Sequence, residues 1–180
     1  MQYKAVIFDF DRTLFRLEVD WVELKKTVFS RLDKQPVTNK SFLTEIKEAA
    51  SGRLRRSLYQ TVLKKEIQGI ENGYPIKGAR EYLSGLLKNG FSLGIISRNS
   101  RQAVLKGIIK GSFPGIPVIG REDVDNLKPH PEGMEKMAKI LNLRNNQCLY
   151  IGDDKNVDGQ FCRNAGVYFY LFNGSNFPEI

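Results

Sequence analysis

Two aspartates two positions apart, Asp9 and Asp11, close an apolar run in the stretch VIFDFDRTLF, and Thr13 follows two places on. Carboxylates this close disfavour each other's ionisation, so packing gives no reason for the pair. A hard divalent cation removes the conflict. Mg²⁺ takes oxygen ligands, commonly one or two carboxylates together with waters and a substrate phosphate. A carboxylate held by a metal stays ionised and is able to attack phosphorus. A second carboxyl group beside it would protonate the leaving alkoxide and then activate water. Three other stretches hold complementary groups: Ser97, Arg98 and Asn99 in IISRNS, Lys128 in NLKPHPE, and Asp153, Asp154 and Asp158 in GDDKNVD. Asp9 and Asp153 fit as direct metal ligands. The Ser97 hydroxyl, the N–H groups of its turn and the Lys128 ammonium suit the oxygens of a transferring phosphoryl group.

Each of these groups follows a short apolar run. Strands are predicted at YKAVIF (3–8), SLGIIS (92–97), IPVIG (116–120), CLYIG (148–152) and VYFYLF (167–172). Amphipathic stretches lie between them. Residues 78–90 place Tyr82, Leu83, Leu86 and Leu87 on one helical face and stop at a glycine. Residues 99–111 end at Gly111, and 131–143 begin with a proline, which suits a first helical turn. Mostly apolar strands alternating with helices predict an α/β fold with a parallel sheet. Ligands of such a sheet bind beyond the carboxyl ends of its strands, which is where all four polar clusters fall.

Alternation stops after the first strand. Residues 16–75 read as helix alone, with Asp20 capping a helix through Trp21, Leu24, Val28 and Leu32. Ser41 is expected to cap a second helix through Phe42, Ile46 and Ala49. A third carries Leu54, Leu58, Val62 and Ile67 and stops near Gly69 or Gly73. The domain expectation is therefore an α/β core of 1–15 and 76–180 with an inserted helical unit of 16–75.

The chain has 180 residues, 41% hydrophobic and 11% aromatic, enough for a packed core and unlike a disordered segment. No apolar run reaches the roughly 18 residues of a membrane span, and the first residues lack a signal-peptide pattern, so a cytoplasmic setting is expected. Cys148 and Cys162 form no metal-ligand spacing and read as small packing residues. The net charge of +8 suits nucleic acid or small phosphate esters equally. Its densest cluster, GRLRRS (52–57), reads as a solvated helix face, though Arg53, Arg55 and Arg56 are also candidates for substrate contact.

Taken together, DFDRTL, IISRN, LKP and GDDKNVD resemble, in order, the four motifs of the haloacid dehalogenase-like (HAD) superfamily, and the segment KGAREYLSGLLKNGFSLGIISRNS resembles its phosphatases. The resemblance spans the chain. It implies a Rossmann-like, doubly wound sheet of order 3-2-1-4-5 and a small helical cap like that of phosphoglycolate phosphatases. It implies that Asp9 is the nucleophile, forming an aspartyl-phosphate, and that Asp11 is the general acid/base. Mg²⁺ would be held by Asp9, Asp153 and the backbone carbonyl of Asp11, with Asp154 or Asp158 supporting them from behind. Thr13 would support the loop, and Ser97, Arg98, Asn99 and Lys128 would bind phosphate. Asp11 argues against a dehalogenase. Lys25 and Lys26 would be the lysines available to a phosphonate hydrolase, and a mutase shares the same motifs.

The expected activity is Mg²⁺-dependent hydrolysis of a small phosphate monoester, phosphoglycolate being the first guess, by a monomer or homodimer with no membrane partner. The alternatives are a polynucleotide phosphatase, nucleic acid being a less favoured partner, and a non-catalytic nucleic-acid- or protein-binding module. Arg12 stands where the family commonly has glycine, and pairing with an acidic group such as Asp154 or Glu18 is expected for it. His130 reads as a loop residue and Trp21 as packing within the inserted helices.

Overall fold

The computed structural model describes residues 3–35 and 41–180. In chain order the strands are β1 (Ala5–Phe8), β2 (Phe15–Arg16), β3 (Tyr74–Pro75), β4 (Ser92–Ile96), β5 (Val118–Ile119), β6 (Cys148–Gly152) and β7 (Tyr168–Leu171). The α-helices are α1 (Trp21–Leu32), α2 (Phe42–Ala49), α3 (Gly52–Asn72), α4 (Ala79–Lys88), α5 (Arg101–Lys110), α6 (Glu132–Leu141) and α7 (Asp158–Ala165). Five strands form a parallel sheet in the order β5-β4-β1-β6-β7. Counted within that sheet alone, the order is 3-2-1-4-5, as expected. The antiparallel pair of β2 and β3, which joins the two ends of the helical insertion, is a feature the sequence reading lacked.

Residues along β1 alternate between two apolar layers, as the twofold repeat of a strand requires. Val6 and Phe8 pack with Leu83, Leu93, Ile95 and Val104 on the side of α4 and α5. Ala5 and Ile7 pack with Met134, Met137, Tyr150 and Phe161 on the side of α6 and α7. With both faces covered, β1 is buried throughout. That burial explains its wholly apolar composition.

A third apolar cluster belongs to the insertion: Leu24, Val28 and Phe29 of α1, Phe42, Leu43 and Ile46 of α2, and Leu58 and Val62 of α3. Trp21 packs at its edge, 6.3 Å between ring centroids from Phe42. Asp20 caps α1 as expected, accepting from the Glu23 N–H at 2.9 Å. Ser41 occupies the cap position of α2 without a side-chain bond. α3 passes from one cluster to the other, since Leu58 and Val62 lie in the insertion and Ile70 packs with Phe8 and Phe10. α3 therefore contributes side chains to both clusters.

Some expected facial residues lie elsewhere. Leu87 is exposed because the buried face of α4 is centred on Ala79, Leu83 and Leu86. Ala49 is exposed and Ala50 buried. Leu54 is exposed in the first turn of α3, and Ile67 is only half-buried because Glu66 occupies the buried stripe. Gly111 ends α5 in an ordinary right-handed conformation, and Ser112 takes the left-handed one at φ 52°.

Candidate active site

The register of the sheet brings the candidate residues together. Phe8 is level with Ile95 on one side and Ile151 on the other. Asp9 is therefore one residue past the paired region, and Ser97 and Asp153 each lie two past it on the flanking strands. The Asp9 N–H donates to the Ile151 carbonyl at 2.8 Å, carrying the β1–β6 ladder to the edge of the site.

Lys128 is the hub. Its ammonium, nearly buried, lies 2.6 Å from Asp9 Oδ1, 2.7 Å from Asp158 Oδ1 and 2.7 Å from the Tyr150 hydroxyl. Three donors thus meet three oxygens. The Tyr150 hydroxyl donates in turn to the Ile96 carbonyl at 3.1 Å. Burial lowers the Lys128 pKa, but the Asp158 and Asp9 carboxylates outweigh it, so the ammonium is held above its ordinary value.

One ammonium does not balance the carboxylates around it. Ligand oxygens of Asp9, Asp153 and Asp158 lie within 4.8 Å of one another. Burial, opposed by Lys128, pushes the Asp9 pKa up to about 7. Burial likewise pushes Asp153 up to about 6, reinforced by the charges of Asp158 and Asp11. Asp11 is also raised to about 6 by burial, although the Leu17 N–H donates to its Oδ1 at 3.0 Å. Carboxylates raised by desolvation and mutual repulsion mark a place where a cation would be favoured.

Asp154 and Asp158 have different surroundings. Asp154 Oδ1 accepts from the N–H groups of Asn156 and Val157 at 2.9 and 3.0 Å, which occupies it with its own turn. Asp158, the first residue of α7, is buried among Lys128, Tyr150 and the Asp154 N–H, the last at 3.2 Å from its Oδ2. Gly152 makes this approach feasible, because a Cβ there would overlap the Asp158 carboxylate.

Ser97 begins the loop before α5. Its hydroxyl donates to Asn99 Oδ1 at 2.9 Å and accepts from the Asn99 N–H at 3.1 Å. Helix capping falls to Ser100, which accepts from the Gln102 N–H. The neighbouring N–H groups of Ser97, Asn99, Ser100 and Arg101 are all engaged. Among the described residues no acceptor meets the Arg98 N–H. Arg98 itself is half-buried. Thr13 is fully buried in the nucleophile loop, and its hydroxyl has no partner among the described residues.

Arg12 does not pair as expected. Among the described residues Glu18 bonds Arg16, at 3.5 Å, and Arg12 forms no ion pair. It is exposed, in the left-handed region at φ 62°, and its charge lowers the pKa values of Asp11 and Asp153. Lys25, Lys26, Arg53 and Arg56 are exposed, and Arg55 donates to the Ala50 carbonyl. His130 is an exposed loop residue whose Nδ1 accepts from the Glu132 N–H.

Three residues of this region were missed in the sequence. Tyr150 looked like one more apolar strand residue. Glu66 had a readable signal, since it continues Leu58 and Val62 at intervals of four and so falls on the buried stripe of α3. Arg121 follows β5, and its partner is 55 residues away in sequence.

Fold and cluster together define an α/β protein with an acidic centre at the carboxyl edge of a parallel sheet. The chain belongs to the haloacid dehalogenase-like hydrolase family, whose sequence model matches residues 6–172. It is similar to the pyrophosphatase PpaX of Halalkalibacterium halodurans, 30% identical over 95 residues, which cover 52% of this chain and 44% of that protein. With PpaX of Listeria monocytogenes serotype 4b it shares 27% over 166 residues, 83% of this chain and 74% of the relative. The alignments to the first of these relatives thus span under half of their length. A solved structure from Bacteroides fragilis, described as a haloacid dehalogenase-like hydrolase, superposes with a TM-score of 0.73 at 26% identity, covering 98% of this chain and 90% of that one. A structure from Lactobacillus plantarum described as a phosphoglycolate phosphatase shares the fold, with a TM-score of 0.68 at 19% identity and coverage of 95% and 86%. Among the described residues no helix is long and apolar enough to cross a membrane.

Proposed function

We propose that the chain is a Mg²⁺-dependent phosphatase that acts through an aspartyl-phosphate at Asp9, with a core of 1–15 and 76–180 and residues 16–75 as its cap. The observation that carries the reading is the close group of Asp9, Asp153 and Asp158, of which buried Asp9 and Asp158 share the single Lys128 ammonium. The donor set is all oxygen, which suits Mg²⁺ rather than a softer metal. Asp9 and Asp153 would hold the ion, together with the Asp11 backbone carbonyl by family resemblance, and Asp158 would support them through Lys128. The bound ion would neutralise the carboxylates and draw phosphate oxygens to the site.

This chain's own residues supply the rest. An Asp9 oxygen attacks phosphorus, and the bond to the leaving oxygen breaks as the acyl phosphate forms. Asp11, raised to about 6 and so partly protonated near neutral pH, gives its proton to the leaving oxygen and then takes one from a water that attacks phosphorus, breaking the bond to Asp9 and releasing phosphate. The Lys128 ammonium, its three N–H groups taken by Asp9, Asp158 and Tyr150, would draw phosphoryl oxygens through its charge; the Arg98 N–H, and the Ser97 hydroxyl once it turns from Asn99, would donate to them, with Thr13 supporting the loop. Arg12 and Arg98 add positive charge, which suits an anionic leaving group. Pyrophosphate and phosphoglycolate, named for the similar proteins, both present one.

A panel of phosphate metabolites assayed with Mg²⁺ tests this, with Asp9→Asn alongside. Loss of at least about 10³-fold in turnover is expected for the variant. Equal turnover in the two proteins would end the proposed mechanism, and activity confined to 3′-phosphorylated DNA would move the substrate class to polynucleotides.

A further inference from the structure

We propose that Glu66, on the inserted helix α3, is a positioning residue for the phosphate-binding loop of Ser97. The inference rests on the phosphatase reading of the site. Glu66 is a fully buried carboxylate on an otherwise largely exposed helix. It accepts four hydrogen bonds. Two come from the Arg121 guanidinium, whose Nη1 and Nη2 lie 2.9 and 3.1 Å from Oε1 and Oε2. The other two come from the serine loop, from Asn99 Nδ2 at 3.1 Å and the Ser100 N–H at 3.2 Å.

An ion pair serving only to hold α3 down would need Arg121 alone. The loop bonds do something different. Because Asn99 gives its Nδ2 to Glu66, its Oδ1 must face the other way, and there it receives the Ser97 hydroxyl proton. The rotamer of Ser97 is therefore set through Asn99 by a carboxylate 31 positions earlier in the chain. Arg121 grips the same loop from its other side, donating Nη1 to the Arg98 carbonyl at 3.3 Å and its backbone N–H to the Asn99 carbonyl at 2.9 Å. Of the five N–H groups from Ser97 to Arg101, the network leaves that of Arg98 unpaired. A loop whose other N–H donors are all engaged presents this one N–H in a fixed place, beside a fixed Ser97 oxygen whose hydroxyl proton must turn from Asn99 to meet phosphate. The helix that carries Glu66 also carries Leu58 and Val62 of the insertion's own core, so the insertion and the loop are tied through one buried carboxylate.

The test uses p-nitrophenyl phosphate with Mg²⁺ as substrate and inorganic phosphate as competitive inhibitor. Glu66→Gln keeps the shape but presents an amide to the Ser100 N–H or Arg121. Loop contacts made to the phosphoryl group throughout the reaction are binding contacts, so their loss raises KM and leaves kcat nearly intact. KM and the inhibition constant of phosphate are expected to rise about tenfold together. Glu66→Gln/Arg121→Gln removes both charges and guards against a variant that fails to fold. In it a merely structural role predicts that Tm and phosphate affinity recover together, whereas a positioning role predicts recovered Tm with phosphate affinity still low. Unchanged phosphate inhibition in folded Glu66→Gln, or affinity restored in the double variant, overturns the inference alone. Hydrolysis equal in the wild-type chain and in Asp9→Asn overturns the phosphatase reading and this inference with it.

Discussion

Arg12 is a residue-scale anomaly. A side chain at φ 62° carries a steric cost that glycine avoids, and no ion pair among the described residues offsets it. The sequence reading, which expected pairing, implied that Arg12→Gly would lower stability. The structure reverses the sign. Arg12→Gly is expected to gain about 0.5–1 kcal/mol, seen as a rise of about 1–3 °C in Tm. A fall in Tm would mean that the attraction of the arginine to Asp11 and Asp153 outweighs its backbone cost. The same scale separates Asp154 from Asp158. Both are acidic and close in sequence, but one caps its own turn and the other meets Lys128. Spacing alone does not say which carboxylate a lysine 30 residues away will reach.

At the scale of elements, the junction of β6 and α7 decides where Asp158 sits. The strand ends at Gly152 and the helix starts at Asp158, whose carboxylate folds back over the glycine. Gly152→Ala must push that carboxylate away and so loosen its bond to Lys128. We expect a loss of about 1–3 kcal/mol from overpacking and weaker Mg²⁺ binding, measured by thermal denaturation and by calorimetric titration of the metal. Wild-type affinity in the variant would show that Asp158 does not support the metal. α3 is the second decisive element. Leu58 and Val62 of its buried stripe were legible in the sequence, but the stripe continues through Glu66 to Ile70 rather than to the expected Ile67, because a carboxylate breaks the apolar repeat.

For the whole molecule, the raised carboxylates set a pH dependence. Asp9 is held near 7 and Asp11 and Asp153 near 6, against 3.8 for an ordinary aspartate. Between about pH 4 and 7 the metal-free folded chain therefore binds more protons than the unfolded one. Its stability must fall as pH rises through that window and level off above it. Under the proposed function Mg²⁺ would compete with those protons, so the rise in Tm on adding Mg²⁺ is expected to be larger at pH 8 than at pH 5. Thermal denaturation in EDTA and in excess Mg²⁺ at both pH values checks this. Metal-free stability that rises across the window would refute the burial of these groups.

The sequence by itself determined the α/β alternation, the helical insertion, the five sheet strands to within a few residues, and the places of Asp9 and Asp153 just past the ends of two of them. Each is legible because it rests on a local signal: periodicity, a cap, or a polar residue at the end of an apolar run. Only the tertiary structure decided that Lys128 binds Asp9, Asp158 and Tyr150 at once, that Asp154 turns to its own loop, and that Glu66 and Arg121 clasp the serine loop. These are contacts between groups far apart in the chain. The register of a parallel sheet and the packing of helices across it create them, and one local pattern of residues is compatible with many such pairings.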